Sequence, residues 1–70
     1  MDRKQIENLG EKIQRLRKGK GLSQDELARK ADIPYTTLTK IEIGVIKNPY
    51  FDSVSKIAEA LDIQLDDLNN

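Results

Sequence analysis

The amino-acid sequence predicts an all-α domain, a compact bundle of five short helices. Apolar residues recur at spacings of three and four along most of the chain, and no segment alternates apolar and polar residues as a strand would. Glycine, proline and aspartate residues separate the periodic segments. A length of 70 residues suits one domain, to which we assign residues 1–70. Because cysteine is absent, packing between helices must hold this domain together.

The first helix is predicted over about residues 5–18. Its apolar residues step by three, four and three, so they share one face of a helix. These residues are Ile6, Leu9, Ile13 and Leu16. The helix is expected to end where Gly19 and Gly21 follow.

The second and third helices are predicted over about residues 24–31 and 35–43. Ser23 and Glu26 have the spacing of a capping box, which defines the start of the second helix. Asp32 tolerates the left-handed backbone that ends a helix, and Pro34 has no amide to lose in the first turn of the next. Gly44 is expected just past the end of the third helix.

The fourth and fifth helices follow a loop that contains Pro49. A helical stripe predicts the fourth helix, and Asp62 stands where a glycine often ends a helix. Tyr50 occupies the position where a small capping residue is usual. A short fifth helix is expected over residues 65–69. The stripe of the fourth helix consists of Phe51, Val54, Ile57, Ala58 and Leu61.

The outer face of the third helix is unusually free of large core residues. At 100° per residue, Leu38 and Ile41 lie on one side, whereas Thr36, Thr39 and Lys40 face the other way, together with Ile43. Two short helices joined by a tight turn, the second presenting hydroxyls and an amine, have the geometry that places a helix in a DNA major groove.

Several motifs carry a resemblance to a known family: LSQDELA, the small residue Ala31, TTLTKIE, Gly44, Asn48-Pro49 and VSKIAEALDIQLDDL. In these motifs the chain resembles the helix-turn-helix family of phage repressors and Cro proteins, also called xenobiotic-response-element-like regulators. The match runs over about residues 9–68. It implies a lambda-repressor-like fold whose helix-turn-helix is formed by helices 2 and 3. It also implies a dimeric transcriptional regulator, a repressor, that binds double-stranded DNA.

Four side chains of the third helix are candidates for contacts with bases, namely Tyr35, Thr36, Thr39 and Lys40. Lys40 can donate to the guanine O6 and N7 acceptors, and threonine can bond to base edges or offer a methyl group. The resemblance implies base contacts at Tyr35, Thr36 and Lys40. Tyr35 lies on the flank of the helix, where it could instead cap the core.

The resemblance also implies contacts with DNA phosphates. Gln24 corresponds to a family glutamine that braces the DNA backbone, although a helix-start glutamine can also simply face water. Ser23 is first a cap and only secondarily a contact. Lys47 and Asn48 lie in the loop after the recognition helix, where further phosphate contacts are common in the family. Arg17 is expected to face a phosphate as well as to form the ion pair described next.

Arg17 and Glu42 correspond to positions that form an ion pair between helices 1 and 3 in phage repressors. The guanidinium fork matches a carboxylate with two hydrogen bonds, so the pair would fix the recognition helix against the first helix.

Three apolar residues, Ile43, Val45 and Ile46, depart from the polar residues that are common around the end of the recognition helix. One interpretation is a contact in a symmetric homodimer, which suits a pseudo-palindromic DNA site. The other is a loop that folds back on Tyr50 and Phe51 to extend the core.

The formal net charge is zero, but the charge is unevenly distributed. Residues 1–49 hold 11 basic and 7 acidic side chains, whereas residues 50–70 hold 1 basic and 5 acidic ones. An acid-free basic run precedes the helix-turn-helix and favours a DNA footprint over a merely solvated helix face. The run consists of Lys12, Arg15, Arg17, Lys18 and Lys20.

Other classes of function fit less well. Without histidine or cysteine, and with no base partner for its serines, the chain is not expected to be an enzyme. No cofactor, metal site or membrane span is expected, and the cysteine-free composition suits the cytoplasm. The alternative to DNA binding is an antitoxin or adapter that uses the same scaffold to bind a protein partner.

Overall fold

The computed structural model describes residues 7–69 and contains five helices there, with no strand in that range. The prediction of an all-α, five-helix domain is confirmed. The helices are α1 (Leu9–Gly19), α2 (Gln24–Ala31), α3 (Tyr35–Glu42), α4 (Phe51–Ala60) and α5 (Leu65–Asn69).

Helix α1 begins later than the sequence pattern predicted. Asn8 caps it: the Asn8 Oδ1 accepts from the Glu11 amide at 2.9 Å, and the Asn8 amide donates to Glu11 Oε1 at 3.2 Å. This capping box satisfies two amides of the first turn and starts the helix at Leu9 rather than near residue 5. Periodicity alone missed this start, because Ile6 continues the apolar spacing; Ile6 itself lies outside the described residues.

Helices α2 and α4 end in the same way. Asp32 and Asp62 both have left-handed backbone, with φ of 59° and 60°. In each case the next residue closes the turn, since the amide of Ile33 donates to the carbonyl of Ala28 and that of Ile63 to Ala58, both at 3.0 Å. The expectation that these aspartates replace a helix-ending glycine is confirmed.

The core lies where all five helices meet. Helix α2 packs against α3 and α4, α1 packs against α3 and α5, and α4 packs against α5. Burying these faces is the main source of stability in a chain without disulfides. The largest fully buried side chains are Ile13, Leu27, Leu38, Ile41, Ile57, Leu61 and Leu68.

Helix α4 begins without a side-chain cap. Tyr50 is its N-cap residue and forms no capping hydrogen bond through its side chain. Tyr50 and Phe51 are both strongly exposed, so the expectation that Phe51 belongs to the buried stripe is wrong. The preceding loop therefore does not bury these two rings, although Ile46 of that loop packs against the core.

Candidate nucleic-acid interface

Helix α3 separates buried from exposed side chains as its sequence pattern predicted. Leu38 and Ile41 are fully buried in the core. Thr36 and Lys40 are exposed, and Thr39 is half-buried. The helix therefore presents hydroxyl, methyl and ammonium groups outward from a buried apolar base.

Tyr35 opens helix α3 and is 49% exposed. It is thus available at the surface rather than enclosed as a cap over the core. Whether its ring contacts a base stays a prediction.

The hydroxyl of Thr39 is turned back onto the helix. Its Oγ1 donates to the Thr36 carbonyl at 3.0 Å, a bond that threonine commonly makes within helices. The donor of Thr39 thus has a partner inside the helix, and the methyl group is the part of this half-buried side chain that makes no hydrogen bond.

Glu42 holds three helices together through one carboxylate. Arg17 of α1 donates from Nε to Oε2 at 2.8 Å and from Nη2 to Oε1 at 3.1 Å, so the ion pair is bidentate. Gln24 of α2 donates from Nε2 to Oε1 at 2.9 Å. Arg17 and Glu42 are only 8% and 2% exposed. We call this arrangement, Arg17 with Gln24 and Glu42, the Glu42 cluster.

The Glu42 cluster limits how its members can meet DNA. The Nη1 of Arg17 donates to the Leu22 carbonyl at 2.9 Å, so three of the guanidinium N–H groups have partners inside the protein. Gln24 is half-buried and supports the recognition helix through Glu42. Contacts of Arg17 and Gln24 with phosphates stay predictions, and both residues have a structural role as well.

Helix α1 approaches the end of α3 more closely than a side chain would permit. A Cβ on Gly10 would lie 2.4 Å from the carbonyl oxygen of Ile41 and 2.6 Å from that of Glu42. One turn further along α1, Gln14 Nε2 donates to the Glu42 carbonyl at 3.1 Å. Sequence reasoning missed both residues. The available signal was a glycine within a helical pattern, where it costs about 1 kcal/mol relative to alanine and so points to a packing constraint.

Ser23 carries out the capping role predicted for it. Its Oγ accepts from the Glu26 amide at 3.0 Å, and its amide donates to Glu26 Oε1 at 2.8 Å. The hydrogen bond from the Ser23 amide, with that from its hydroxyl, lowers the pKa of Glu26. The capping box is confirmed, whereas a phosphate contact by Ser23 stays a prediction.

The loop after α3 is attached to the end of that helix. The Ile46 amide donates to the Lys40 carbonyl at 3.1 Å, and Gly44 turns the chain with φ of 87°. Lys47 and Asn48 are exposed on this loop. A shallow groove of about 400 Å³ opens beside it. The groove is lined by Pro34, Thr37, Ile46, Asn48, Pro49, Tyr50 and Ser53.

The three apolar residues near the end of α3 have different surroundings. Ile43 and Val45 are 67% and 66% exposed, whereas Ile46 is half-buried and packs against the core. Only Ile43 and Val45 therefore offer a free apolar surface.

The basic run before the helix-turn-helix is divided among several partners. Arg15 pairs with Glu7 at 2.8 Å, and Lys12 Nζ donates to the Asp67 carbonyl at 3.2 Å. The Arg15 hydrogen bond lowers the pKa of Glu7. Lys18 and Lys20 are exposed at the end of α1. Within the run, the exposed side chains Lys18 and Lys20 thus lie next in sequence to the helix-turn-helix.

Within residues 7–69, no three acidic side chains are grouped closely enough to hold a metal ion. None of the helices in that range combines the length and apolar character required to span a membrane.

Known proteins with similar sequences are transcriptional regulators. The HTH-type transcriptional regulator SinR of Bacillus licheniformis is 36% identical over 62 residues, which cover 89% of this chain and 56% of SinR. The chain spans about half the length of the curated relatives it matches.

Solved structures share the fold. SinR, described as the master regulator for biofilm formation, has been crystallised in complex with DNA. Its structure matches with a TM-score of 0.82 and 35% identity over 86% of this chain and 95% of that one. A complex of SinR with the protein SinI matches with a TM-score of 0.83 and 35% identity, over 86% and 58% of the two chains. The family model described as helix-turn-helix matches residues 13–68, and the chain therefore belongs to the helix-turn-helix family.

Proposed function

We propose that this domain binds double-stranded DNA in a sequence-specific manner, with helix α3 in the major groove, as part of a transcriptional repressor. The observation that carries the proposal is the exposed polar face of α3, which the Glu42 cluster holds rigidly against α1 and α2. A recognition helix must keep its orientation while its side chains meet base edges. Membership of the helix-turn-helix family supports the same function.

The proposed contacts divide into two groups. The first group reads bases, because its members occupy the outer side of α3 and carry groups that match major-groove chemistry. It consists of Tyr35, Thr36, Thr39 and Lys40. A second group binds phosphates, which position the protein without reading sequence. This second group consists of Ser23, Gln24, Arg17, Lys47 and Asn48.

A homodimer is the proposed form on DNA. Two copies related by a two-fold axis would match a pseudo-palindromic site with half-sites about one helical turn apart. Of the apolar set Ile43, Val45 and Ile46, Val45 is the strongest candidate for the contact. Ile46 packs against the core, and Ile43 lies on the face of α3 that carries Thr36 and Thr39. The cytoplasm is the proposed place of action.

Binding of a protein partner is the second candidate function. The exposed rings of Tyr50 and Phe51 favour it, because two neighbouring aromatic side chains at the surface are typical of contact sites. The relative SinR is found in a complex with SinI. In this alternative the domain acts as an antitoxin or adapter.

A salt titration with a random duplex separates the two candidates. Displacement of counterions by lysine and arginine makes log K fall linearly with log salt, with a slope of about −2 to −4 for two to four neutralised phosphates. A contact made through Tyr50 and Phe51 would change little with salt. Absence of binding to any duplex in dilute buffer would refute the DNA-binding proposal. If the domain does bind duplex DNA, selection from a random duplex library gives the sequence of the binding site, its symmetry and its half-site spacing.

A further inference from the structure

Ile43 extends the reading face of α3 by one apolar side chain. It follows the last residue of the helix with φ of −88° and ψ of 0°, so it continues the helical course of the backbone. It lies four residues after Thr39 and three after Lys40, which places it on the same face as both. Its side chain is 67% exposed. Val45 is similarly exposed but lies beyond Gly44, whose positive φ turns the chain away from the helix.

Thr39 adds an apolar group to the same face. The donor of its hydroxyl bonds to the Thr36 carbonyl at 3.0 Å, so it is not available to a base edge without breaking that bond. What remains for contact is its methyl group and an acceptor lone pair. The Thr39 methyl and the Ile43 side chain are separated by about 6 Å along the helix axis, the rise of four residues. Helix geometry makes these two residues neighbours on the face that also carries Lys40, and we call them the apolar strip.

The major groove contains one apolar group, the C5 methyl of thymine. Building on the proposed DNA-binding function, we propose that the Thr39 methyl and the Ile43 side chain together read a thymine methyl, next to the base pair whose acceptors Lys40 contacts. Contact with that methyl removes apolar surface of Ile43 from water, which is favourable in proportion to the area covered. Ile43 is then a specificity-determining residue rather than part of a contact between two copies.

The test replaces single thymines of the selected duplex by deoxyuridine, which removes the C5 methyl and leaves the hydrogen-bonding groups unchanged. We expect one thymine in each half-site at which the replacement weakens binding by about three- to fourfold, as for loss of one buried methyl group. The Ile43→Ala variant should lose most of this penalty. Phe51→Ala is the matched control, because it removes a similarly exposed apolar side chain outside the strip and outside the proposed dimer contact, and it should keep the full penalty.

Two variants of Thr39 separate the methyl group from the hydroxyl. Thr39→Val keeps a methyl group in that position and should retain the uracil penalty, whereas Thr39→Ser keeps the hydroxyl and should reduce it. The proposal is overturned if the selected site lacks thymine, or if no thymine responds to the replacement. It is also overturned if Ile43→Ala leaves the uracil penalty intact, or if Thr39→Val reduces that penalty as much as Thr39→Ser does. These results all require a bound duplex, so they differ from a failure of DNA binding itself.

Discussion

Gly10 of helix α1 lies directly against the carbonyl oxygen of Ile41 in helix α3, and a Cβ at Gly10 would come within 2.4 Å of that oxygen. The neighbouring Glu42 carbonyl is equally restrictive, at 2.6 Å. Both atoms belong to backbone, so they cannot move aside as the end of a flexible side chain could. The end of the recognition helix is thus held at a distance from α1 that only glycine allows.

Replacing Gly10 with alanine should destabilise the domain by about 1–3 kcal/mol, despite the better helix propensity of alanine. Gly19 in the same helix is the matched control, since a Cβ there meets nothing within 4 Å. Gly19→Ala should be neutral or stabilising by up to about 1 kcal/mol. Urea unfolding of the three proteins measures both effects. Equal stability of the two variants would contradict the close approach of α1 and α3.

Replacing Glu42 with alanine should lower the free energy of unfolding by about 3–5 kcal/mol, because Arg17 is left buried without its partner. Affinity for the selected duplex should fall as well, since Gln24 and Arg17 no longer hold α3. Arg15→Ala breaks the exposed pair with Glu7 and should change stability far less than Glu42→Ala does.

The double variant Arg17→Met with Glu42→Leu gives a sharper comparison. Removing both charges should lower the free energy of unfolding much less than removing one, because no uncompensated buried charge remains. Thermal and urea unfolding measure these differences. If Glu42→Ala leaves both melting temperature and duplex affinity unchanged, the importance assigned to the Glu42 cluster is wrong.

The capping box of α2 should make stability depend on pH. The hydrogen bond from the Ser23 amide lowers the pKa of Glu26 in the folded state, so the charged carboxylate stabilises the fold above its unfolded pKa of about 4.3. This contribution is lost as pH falls through the lowered, folded-state value.

Glu26→Gln keeps a side chain that fits a capping box but cannot ionise. The melting temperature of the original protein should exceed that of this variant near pH 7, and the difference should shrink below about pH 4. Comparing the two proteins also removes the contribution of Glu7, whose pKa is lowered by Arg15 in both. A difference that stays constant down to pH 2 would show that the charge on Glu26 has no such role.

Lys40 and Lys47 should affect DNA binding in different ways. Lys40→Ala should cost about 1–3 kcal/mol at the preferred base and relax preference there, as expected for loss of a base contact. Lys47→Ala should weaken binding to all duplexes alike and reduce the salt slope by about 1. Kd values for the selected duplex and single-base variants at several salt concentrations give both quantities. Identical behaviour of the two variants would refute the division into base readers and phosphate contacts.

Local sequence signals were sufficient wherever a helix end depends on nearby residues. Ser23 with Glu26 defined the start of α2, and the two aspartates, Asp32 and Asp62, marked the ends of α2 and α4. A cap is made within four residues, so the information it needs is contiguous in the chain. The predicted start of α1 was wrong because the apolar periodicity was given more weight than an equally local signal, the capping box of Asn8 and Glu11.

The division of α3 into an inner and an outer face was also determined by the sequence alone, since helix geometry converts residue spacing into direction. Only the tertiary structure decided which distant groups share a site. The contact of Gln24 with Glu42, the approach of Gly10 to Ile41 and the exposure of Phe51 each depend on how separate helices pack. The way in which helices pack depends on the shapes of their complete surfaces, whereas the spacing of apolar residues along one helix shows only which of its own sides is buried.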